Sequence, residues 1–502
     1  MQEAPDTADS PYEDLPETPA ESKNASWALI AIIALLPFVG YWAYGLLDLD
    51  EGFYGSVVAE MNRRGEWITP YYNGHPWFEK PILLYWLAKP CLMLFGGVLG
   101  LRLPSVLASL GLFATAGWFV RKHVSEAAAQ IVVLVLAGSL LVVGAGRMML
   151  VDPLMNLCLA GALLTFWDSL QASPRMRVLS GFLLGCSALA KGPVGIILFV
   201  GIAGWTFWKQ PSLRPGFKGG WIGFTVALVA AIALWYLPAY LQNGRLFVDE
   251  FLIRQNLQRF TGGDEAHSAG PVGLLLYPLV LLLGLAPWNW FALRTWPKRD
   301  GDPLERFLAS WAFIAFLFFS ISGTKLVHYI LPAAAPIAIL AAIRLASGRK
   351  SLTAKGLLPF AAVAASVASL TQIGFTAIYA SDNAELHRIA RYVRVNGGPA
   401  AAYQMPRREK DLGTLQPKLK ETSHPSLPFY VSADVLEAEK LGQLIDAPKP
   451  LWVITRTGRI RDEDIEECAA IGYKMRLVPV EGAERNYLLY RLEDHRAQAP
   501  SK

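Results

Sequence analysis

The sequence predicts an all-α polytopic membrane domain followed by a small C-terminal α/β soluble domain. The 502 residues are 53% hydrophobic and only 17% charged, whereas charged residues make up about 25% of a typical soluble domain. Apolar runs of roughly 17–25 residues, each able to cross about 30 Å of hydrocarbon, recur up to residue 380. Because lipid-exposed backbone must satisfy its own hydrogen bonds, these runs are predicted to be helices.

The N-terminal segment 1–25 is acidic, rich in proline and nearly free of large apolar residues. This composition predicts a disordered tail. The segment lacks a basic region, so the apolar run that follows is expected to be a retained anchor and not a cleaved signal.

Charge and cysteine content exclude two other classes of partner or site. The net charge of +5 comes from basic loops between the apolar runs and indicates no nucleic-acid partner. The four cysteines show no CxxC or His/Cys spacing, so neither a disulfide framework nor a cysteine metal site is predicted.

The apolar runs define the candidate membrane spans. They are 26–47, 103–120, 128–146, 154–170, 178–190, 192–208, 221–241, 271–293, 306–321, 327–344 and 356–379. One further run, 81–98, is ambiguous because Lys89 and Pro90 lie at its centre. A central lysine costs roughly 2.5–3.5 kcal/mol on insertion, and the proline removes a helical hydrogen bond.

Loop charges decide how 81–98 is interpreted. If it does not cross, the basic loops around 121, 175, 214, 298 and 349 all lie on one face, which the positive-inside rule places in the cytoplasm. We therefore predict a juxtamembrane or re-entrant helix at 81–98 and about eleven crossings. The opposite face is then periplasmic, in a bacterial inner membrane.

After residue 380 the composition changes to that of a soluble domain, so the predicted domains are 26–380 and 381–502. Strand-like runs occur at 450–457, 475–481 and 486–492, and 434–445 has a helical pattern. The last 120 residues are therefore predicted to form an α/β domain on the outer face.

The predicted outer loops hold most of the unusual polar residues. In the first loop, Glu51, Tyr54, Val58 and Met61 fall at helical spacing, which predicts a short amphipathic helix. The candidate residues of all outer loops are Asp48, Asp50, Glu51, Tyr54, Glu79, Lys80, Arg147, Asp152, Lys191, Arg254, Arg259, His267, Lys325, His328 and Tyr329.

These residue types suit one kind of chemistry if the loops line a single cavity. A carboxylate can act as general base for a hydroxyl, and clustered lysine and arginine side chains can hold a phosphate and stabilise it as a leaving group. The combination indicates transfer of a group from a lipid-linked phosphate, with the membrane helices supplying a groove for the lipid tail.

Five motifs resemble those of a known family, in the same order. They are DLDEGFYGSVVAEM with GEWITPYYNGHPWFEKPILLYW, then GRMMLVDP, ALAKGPVG, NLQRFTGGDEAHSAGP and TKLVHYILP. Together they resemble the GT-C superfamily, and in particular the bacterial aminoarabinose (lipid A) transferases and the dolichyl-phosphate-mannose protein mannosyltransferases. The resemblance covers about 30–340, and the last 120 residues match only as a soluble periplasmic domain.

The resemblance implies an inverting glycosyltransferase that uses a polyprenyl-phosphate sugar. It implies catalytic roles for Asp50 and Asp152, with Glu51 beside them, and a phosphate contact for Lys80. It also implies a divalent metal ion held by Glu79 and His267, with no other cofactor. The further substrate or phosphate contacts are Tyr54, Lys191, Arg259, Lys325 and Tyr329.

One residue departs from the family pattern. Many relatives carry arginine where this chain has Phe53. The corresponding contact must then come from another residue, such as Arg254 or Arg259, or the substrate differs.

The expected function is transfer of a sugar from an undecaprenyl-phosphate carrier to a lipid, glycan or protein acceptor. The alternative is a transporter or flippase of a lipid-linked substrate, which broken helices with charge at membrane depth would suit. A scaffold or receptor is a third interpretation, but it leaves the acidic cluster unexplained. Single residues of the outer loops also have a purely structural interpretation. An acidic residue at a helix N-terminus stabilises the helix, and a lysine near the membrane boundary extends its ammonium into the interface.

Overall fold

The computed structural model describes residues 25–47, 50–171, 175–258, 273–294, 297, 301–347, 353–405, 407–408, 421–422, 424–483 and 485–495. Helices dominate this part of the chain up to Asn396, and a five-stranded sheet follows. The composition predicts an all-α membrane domain followed by an α/β region, and the described part of the chain has this arrangement.

The first half of the chain is helical apart from one short hairpin. The helices are α1 Trp27–Leu35, α2 Asp50–Arg64, α3 Leu83–Phe95, α4 Gly97–His123, α5 Glu126–Ala137, α6 Leu140–Gly146, α7 Val151–Gln171, α8 Arg175–Lys191, α9 Val194–Lys209 and α10 Trp221–Asn243. The hairpin pairs β1 Tyr71–Tyr72 with β2 His75–Pro76. Short 3₁₀ helices occupy Leu36–Phe38 and Pro211–Phe217.

The second half continues with shorter and more irregular helices before the sheet. They are α11 Arg245–Phe247, the π-helix Val248–Gln258, α12 Gly273–Gly284, α13 Trp288–Arg294, α14 Pro303–Ile321, the 3₁₀ helix Val327–Ala333, α15 Ala334–Ser347, α16 Ala354–Asn396, α17 Leu427–Val431, α18 Leu441–Asp446 and α19 Asp462–Ala470.

Six helices in the described part of the chain are long and apolar enough to cross a membrane. They are Gly97–His123, Val151–Leu170, Trp221–Asn243, Pro303–Ile321, Val327–Ser347 and Ala354–Ile378. The pair formed by α5 and α6, bent by 64°, makes up to seven. The predicted eleven crossings are therefore not confirmed, because several predicted spans correspond to shorter apolar helices such as α1 and α9.

The predicted span 271–293 is wrong as one continuous helix. It forms α12 and α13 with a break around the Ala286–Pro287 peptide bond. Proline has no backbone N–H and interrupts the helical ladder. The predicted span 327–344 likewise begins as a 3₁₀ turn, which contains Pro332.

The helix α3 agrees with the juxtamembrane interpretation of 81–98. Its 13 residues extend over about 20 Å, which is less than the hydrocarbon thickness of about 30 Å. The Lys89 ammonium donates to the carbonyl of Glu66 at 2.8 Å and lies 4.0 Å from the centre of the Trp67 ring. The lysine that disfavours a crossing is therefore paired with the outer loop.

The C-terminal region is a mixed sheet with strand order β6–β3–β7–β9–β8. The strands are β3 Ala400–Tyr403, β4 Arg407–Arg408, β5 Glu421–Thr422, β6 Val435–Ala438, β7 Leu451–Arg456, β8 Tyr473–Val478 and β9 Tyr487–Asp494. In this sheet β3 runs parallel to β6 and β7, while β9 pairs antiparallel with β7 and β8. The β4–β5 pair is separate.

Two details of this region differ from the sequence pattern. The segment 434–445 is not one helix, because its first half forms β6 and only its second half forms α18. The helix α16 also runs through the predicted boundary at 380 and ends at Asn396, so one continuous helix joins the membrane part to the sheet.

The sheet region packs directly on α2 and the hairpin that follows it. The Ser56 hydroxyl donates to the carbonyl of Pro425 at 2.7 Å. The Asn73 side chain donates to the Val435 carbonyl at 2.9 Å and accepts from its N–H at 2.7 Å. The C-terminal region therefore holds the first outer loop in place.

Candidate active site

Glu51, the third carboxylate of the acidic cluster Asp48, Asp50 and Glu51, is fully buried in an ion pair. Its two oxygens accept from Arg102 Nε at 2.7 Å and from Nη2 at 2.8 Å. The backbone N–H groups of Leu47 and Met149 also donate to it, at 2.9 and 2.7 Å. Glu51 thus ties α2, α4 and the loop before α7 together, and this environment favours a structural role over the predicted catalytic one.

Asp50, the first residue of α2, has a different environment. The Tyr54 hydroxyl, one helical turn later, donates to its Oδ1 at 3.4 Å. Burial raises the pKa of Tyr54 well above its ordinary value, and the charges of Asp50 and Asp152 raise this pKa further. Tyr54 therefore stays protonated near neutral pH and lies in the field of both predicted catalytic carboxylates.

Asp152 is the centre of a second cluster, at the first turn of α7, where the helix dipole favours a carboxylate. The Lys191 ammonium contacts its Oδ1, and His328 Nε2 lies 3.6 Å from its Oδ2. The same ammonium lies 3.7 Å from the centre of the Tyr329 ring. Residues far apart in the sequence thus meet around one buried carboxylate.

The two clusters are close enough to interact electrostatically. The His328 ring, 3.6 Å from Asp152, lies within electrostatic range of Asp50 and Lys80 as well as of Lys191. Asp50 and Lys80, whose convergence the predicted chemistry needs, therefore lie in the same part of the molecule.

A cavity of about 120 Å³ opens beside this group. Its lining combines the charged residues Glu79, Lys80 and Lys191 with Tyr329 and with aromatic and aliphatic side chains that include Phe251, Phe318, Phe319, Val194 and Ile197. Two lysines together with apolar side chains are what a lipid with a phosphate head requires.

A second cavity, of about 490 Å³, is lined by His328. The rest of its lining comes from α6, α12, α16 and the 3₁₀ helix before α15, and is mostly leucine, valine, glycine and methionine. The imidazole that lies beside Asp152 therefore also lines a larger, apolar cavity.

Lys325, a predicted phosphate contact, is not among the described residues that line the smaller cavity. Its ammonium donates to the carbonyls of Ser320 at 2.6 Å and Ser322 at 2.8 Å, and so caps the C-terminal end of α14. Arg254 pairs with Glu250 at 3.1 Å along the π-helix. The predicted residues Asp48, Arg259 and His267 lie outside the described residues.

No three His, Cys, Asp or Glu side chains come together as a metal site within the ranges that the structure describes. Glu79, one of the two predicted ligands, lines the smaller cavity, and its predicted partner His267 is outside those ranges. The described residues therefore supply one of the two predicted ligands, and no chemical step is assigned to a metal.

Phe53 occupies an apolar environment and not the phosphate end of the cavity. Its ring stacks on Trp77 with centroids 4.7 Å apart and meets Tyr72 edge-on at 4.9 Å. Phe53 is thus a packing residue.

Two residues of the site received no role from the sequence. Arg102 lies just before the predicted span 103–120, and nothing in the sequence shows that Glu51 is its partner. His328 is among the candidate residues of the outer loops but has no predicted role. The TKLVHYILP motif could have indicated His328, because this histidine directly precedes Tyr329. Its proximity to Asp152 is visible only in the fold.

Comparison with known proteins adds independent evidence. The family model described as dolichyl-phosphate-mannose-protein mannosyltransferase matches residues 79–236. The undecaprenyl phosphate-alpha-4-amino-4-deoxy-L-arabinose arabinosyl transferase of Edwardsiella ictaluri is 31% identical over 333 residues, 64% of this chain and 59% of that protein. An uncharacterized protein of Aquifex aeolicus is 31% identical over 311 residues, 60% of this chain and 69% of that protein. The chain belongs to the GT-C superfamily of membrane glycosyltransferases.

Solved structures agree with this GT-C fold. ArnT from Cupriavidus metallidurans, bound to undecaprenyl phosphate, matches with a TM-score of 0.70 at 19% identity, covering 92% of this chain and 97% of that one. The oligosaccharyltransferase AglB from Archaeoglobus fulgidus matches with a TM-score of 0.51 at 12% identity, covering 95% and 75%. The GT-C chain is thus a multi-pass protein of the bacterial inner membrane. It spans 59% of the length of the Edwardsiella relative.

Proposed function

We propose that this GT-C protein transfers a sugar from an undecaprenyl-phosphate carrier to a lipid, glycan or protein acceptor at the periplasmic face. The observation that carries the proposal is the cavity that joins Lys80 and Lys191 to an aromatic wall, beside the carboxylates of Asp50 and Asp152. Such a cavity suits a prenyl phosphate, and the carboxylates suit a reaction at the sugar that the phosphate carries.

The lysines provide the stabilisation of the leaving group. As the bond between the anomeric carbon and the phosphate oxygen breaks, negative charge grows on the phosphate. Lys80 and Lys191 line the cavity together, and Lys191 is held by both Asp152 and the Tyr329 ring. A cation fixed in this way stabilises developing charge without having to reorganise.

The role of Asp50 depends on the acceptor. If the acceptor is a hydroxyl, Asp50 either deprotonates it or positions it for in-line attack, which inverts the anomeric carbon. If the acceptor is already a phosphate, no strong base is needed, and Asp50 orients the substrate. Tyr54 supports either role, since its hydroxyl donates to Asp50.

Names of the relatives support the donor class. One relative is described as an undecaprenyl phosphate-aminoarabinose transferase, and the ArnT structure contains undecaprenyl phosphate. These relatives are named as transferases, which favours transfer over the alternative of a transporter or flippase. The sugar and the acceptor of this chain are not carried over from them.

The proposal is tested with purified protein, undecaprenyl phosphate carrying a radiolabelled sugar, and a panel of acceptors. We expect Asp50→Asn and Lys80→Ala to lose transfer by about 100-fold or more, since single groups of this kind contribute about that much. The control is Lys209→Ala, because Lys209 also lies over an aromatic ring, 3.7 Å from the centre of Trp208, but ends α9 away from the site. Normal transfer by both site variants would contradict the proposal.

The periplasmic orientation is a separate part of the proposal and rests on the basic loops of the opposite face. An impermeant maleimide applied to spheroplasts distinguishes the two faces in a cysteine-free background. We expect it to label Glu467→Cys in α19 and not Arg214→Cys in the turn after α9, both of which are exposed positions. The reverse pattern would invert the orientation.

A divalent metal held by Glu79 and His267 is proposed only as a requirement to be tested. Chelation with EDTA followed by return of Mg²⁺, Mn²⁺ or Zn²⁺ measures it directly. Full transfer after chelation would remove the metal from the proposal and leave the lysines as the source of stabilisation for the phosphate.

A further inference from the structure

His328 lines the larger cavity, and its neighbour in the sequence, Tyr329, lines the smaller one. The His328 Nε2 lies 3.6 Å from Asp152 Oδ2, and its ring meets Tyr329 edge-on at 5.1 Å. A molecule in the larger cavity therefore contacts the same imidazole that faces the charged groups of the donor site.

The larger cavity suits an apolar molecule that arrives from the membrane. Among the described residues that line it, the side chains of His328, Thr371 and Gln372 are polar, and only His328 can titrate. Leu283 and Phe375, which also line it, are 66% and 61% exposed, so the cavity opens between α12 and α16 on the surface that would face lipid. A lipid could enter there with its polar end toward His328.

The charges around the imidazole come from four elements. They are Asp152 on α7, Asp50 on α2, Lys191 on α8 and Lys80 before α3, all within electrostatic range of the ring. With Nε2 turned toward Asp152, Nδ1 is the nitrogen that can accept a proton from a substrate. A histidine oriented by a carboxylate in this way is a common general base.

Asp50 is less suited to that task. It accepts a hydrogen bond from Tyr54, and it is not among the described residues that line either cavity. His328 is therefore nearer to a second substrate than the carboxylate is.

We propose that His328 is the general base of the transfer reaction and that the acceptor is a hydroxyl on a lipid in the larger cavity. The inference rests on the proposed function and gives Asp50 a positioning role. The acceptor O–H bond breaks and its proton moves to Nδ1 of His328. The oxygen forms the new bond to the anomeric carbon, while the bond from that carbon to the phosphate oxygen breaks and its electron pair leaves with the phosphate, beside Lys80 and Lys191.

The experiment uses the full-length protein in nanodiscs with the radiolabelled donor. The acceptors are dodecyl maltoside as a lipid alcohol, maltose as the same alcohol without the chain, dodecyl phosphate, and a serine-containing peptide. Rates are measured from pH 5 to 9 for the wild type and His328→Gln. Binding of undecaprenyl phosphate is measured separately, by the shift in melting temperature.

We expect dodecyl maltoside to be glycosylated faster than maltose. His328→Gln should lower kcat for this acceptor by about 100-fold or more, without changing the melting shift caused by undecaprenyl phosphate. The rise in rate with pH, which the wild type shows as the imidazole loses its proton, should disappear in the variant. Imidazole in solution should restore part of the rate of His328→Ala.

The matched control is His123→Gln. His123 forms another histidine–aspartate pair, with Nε2 3.0 Å from Asp168 Oδ1, near the other end of α7, and its loss should leave rate and pH profile unchanged. An unaltered kcat and pH profile in His328→Gln, or labelling of dodecyl phosphate in place of the alcohols, would overturn this inference alone. Absence of transfer by the wild type to every acceptor would overturn the proposed function as well.

Discussion

At the scale of single residues, two adjacent carboxylates have different surroundings. Glu51 has both oxygens occupied by Arg102 and by backbone N–H groups, whereas Asp50 meets the Tyr54 hydroxyl and the field of the site. A carboxylate with every lone pair engaged is a poor proton acceptor. The acidic cluster at the start of α2 thus combines a structural residue with a candidate catalytic one.

We predict that Glu51→Gln destabilises the protein strongly. Removing one partner of a buried ion pair leaves the other charge uncompensated, at a cost of about 3–5 kcal/mol, and both side chains here are fully buried. Thermal unfolding in detergent measures the effect. The control is Glu126→Gln. The Arg121–Glu126 pair is partly exposed, with 64% and 31% of the two side chains accessible, so this variant should change the stability by no more than about 1 kcal/mol. Equal melting temperatures for the two variants would contradict this prediction.

At the scale of elements, close helix packing depends on glycines of α8. A Cβ on Gly181 would lie 2.2 Å from the carbonyl oxygen of Phe224 on α10, and one on Gly185 would lie 2.5 Å from the Ala231 methyl. Two glycines four residues apart let helix backbones approach in a membrane. The cluster around Asp152 depends on this packing, because α8 ends at Lys191.

We predict that Gly181→Ala lowers the melting temperature and reduces transfer. The added methyl group meets backbone, which cannot move without shifting the helix, and overpacking of this kind costs about 1–3 kcal/mol. The displacement would also move Lys191 relative to Asp152. Melting in detergent and the transfer rate are measured together.

The control for that prediction is Gly204→Ala in α9, where a Cβ meets nothing within 4 Å. Alanine has a higher helix propensity than glycine by about 1 kcal/mol, so this variant should be as stable as the wild type or more so. Matching stability losses in both variants would show that glycine flexibility, and not helix contact, is what matters.

At the scale of the whole molecule, the C-terminal region supports the loop that carries Asp50 and Lys80. The contacts come from both ends of that loop. Tyr430 accepts from the Leu46 N–H at 2.8 Å just before α2, and Asn73 forms two hydrogen bonds with Val435 after it. The C-terminal region therefore helps to hold the first loop in position at the site, and this role does not depend on which acceptor is used.

We predict that Asn73→Ala loosens the contact between the two regions. It removes the two hydrogen bonds between the Asn73 side-chain amide and the backbone of Val435, each worth about 1 kcal/mol. Hydrogen exchange over residues 424–438 should become faster, and transfer should fall moderately. The control Asn396→Ala removes an amide that bonds only within its own helix, to the Tyr392 carbonyl, and should leave exchange in 424–438 unchanged. Unchanged exchange in Asn73→Ala would contradict the prediction.

Several features followed from the sequence because they depend on local composition. Apolar runs predicted helices, the strand-like runs 450–457 and 486–492 became β7 and β9, and the ordered motifs indicated the family. The prediction of eleven crossings was less successful, because a hydropathy pattern does not show where a proline breaks a helix, as it does between α12 and α13.

The sequence by itself determined that this chain spans a membrane, carries an α/β region after the membrane part and has acidic and basic residues in the loops between its apolar runs. Only the tertiary structure decided which charges share a site. The sequence separation is 51 positions for Glu51 and Arg102 and 176 positions for Asp152 and His328. The distance between the members of each pair is set by how the helices pack. The local sequence pattern determines whether a segment forms a helix or a strand. Which charged residues pair depends on how these elements pack together, and the local pattern does not contain that information.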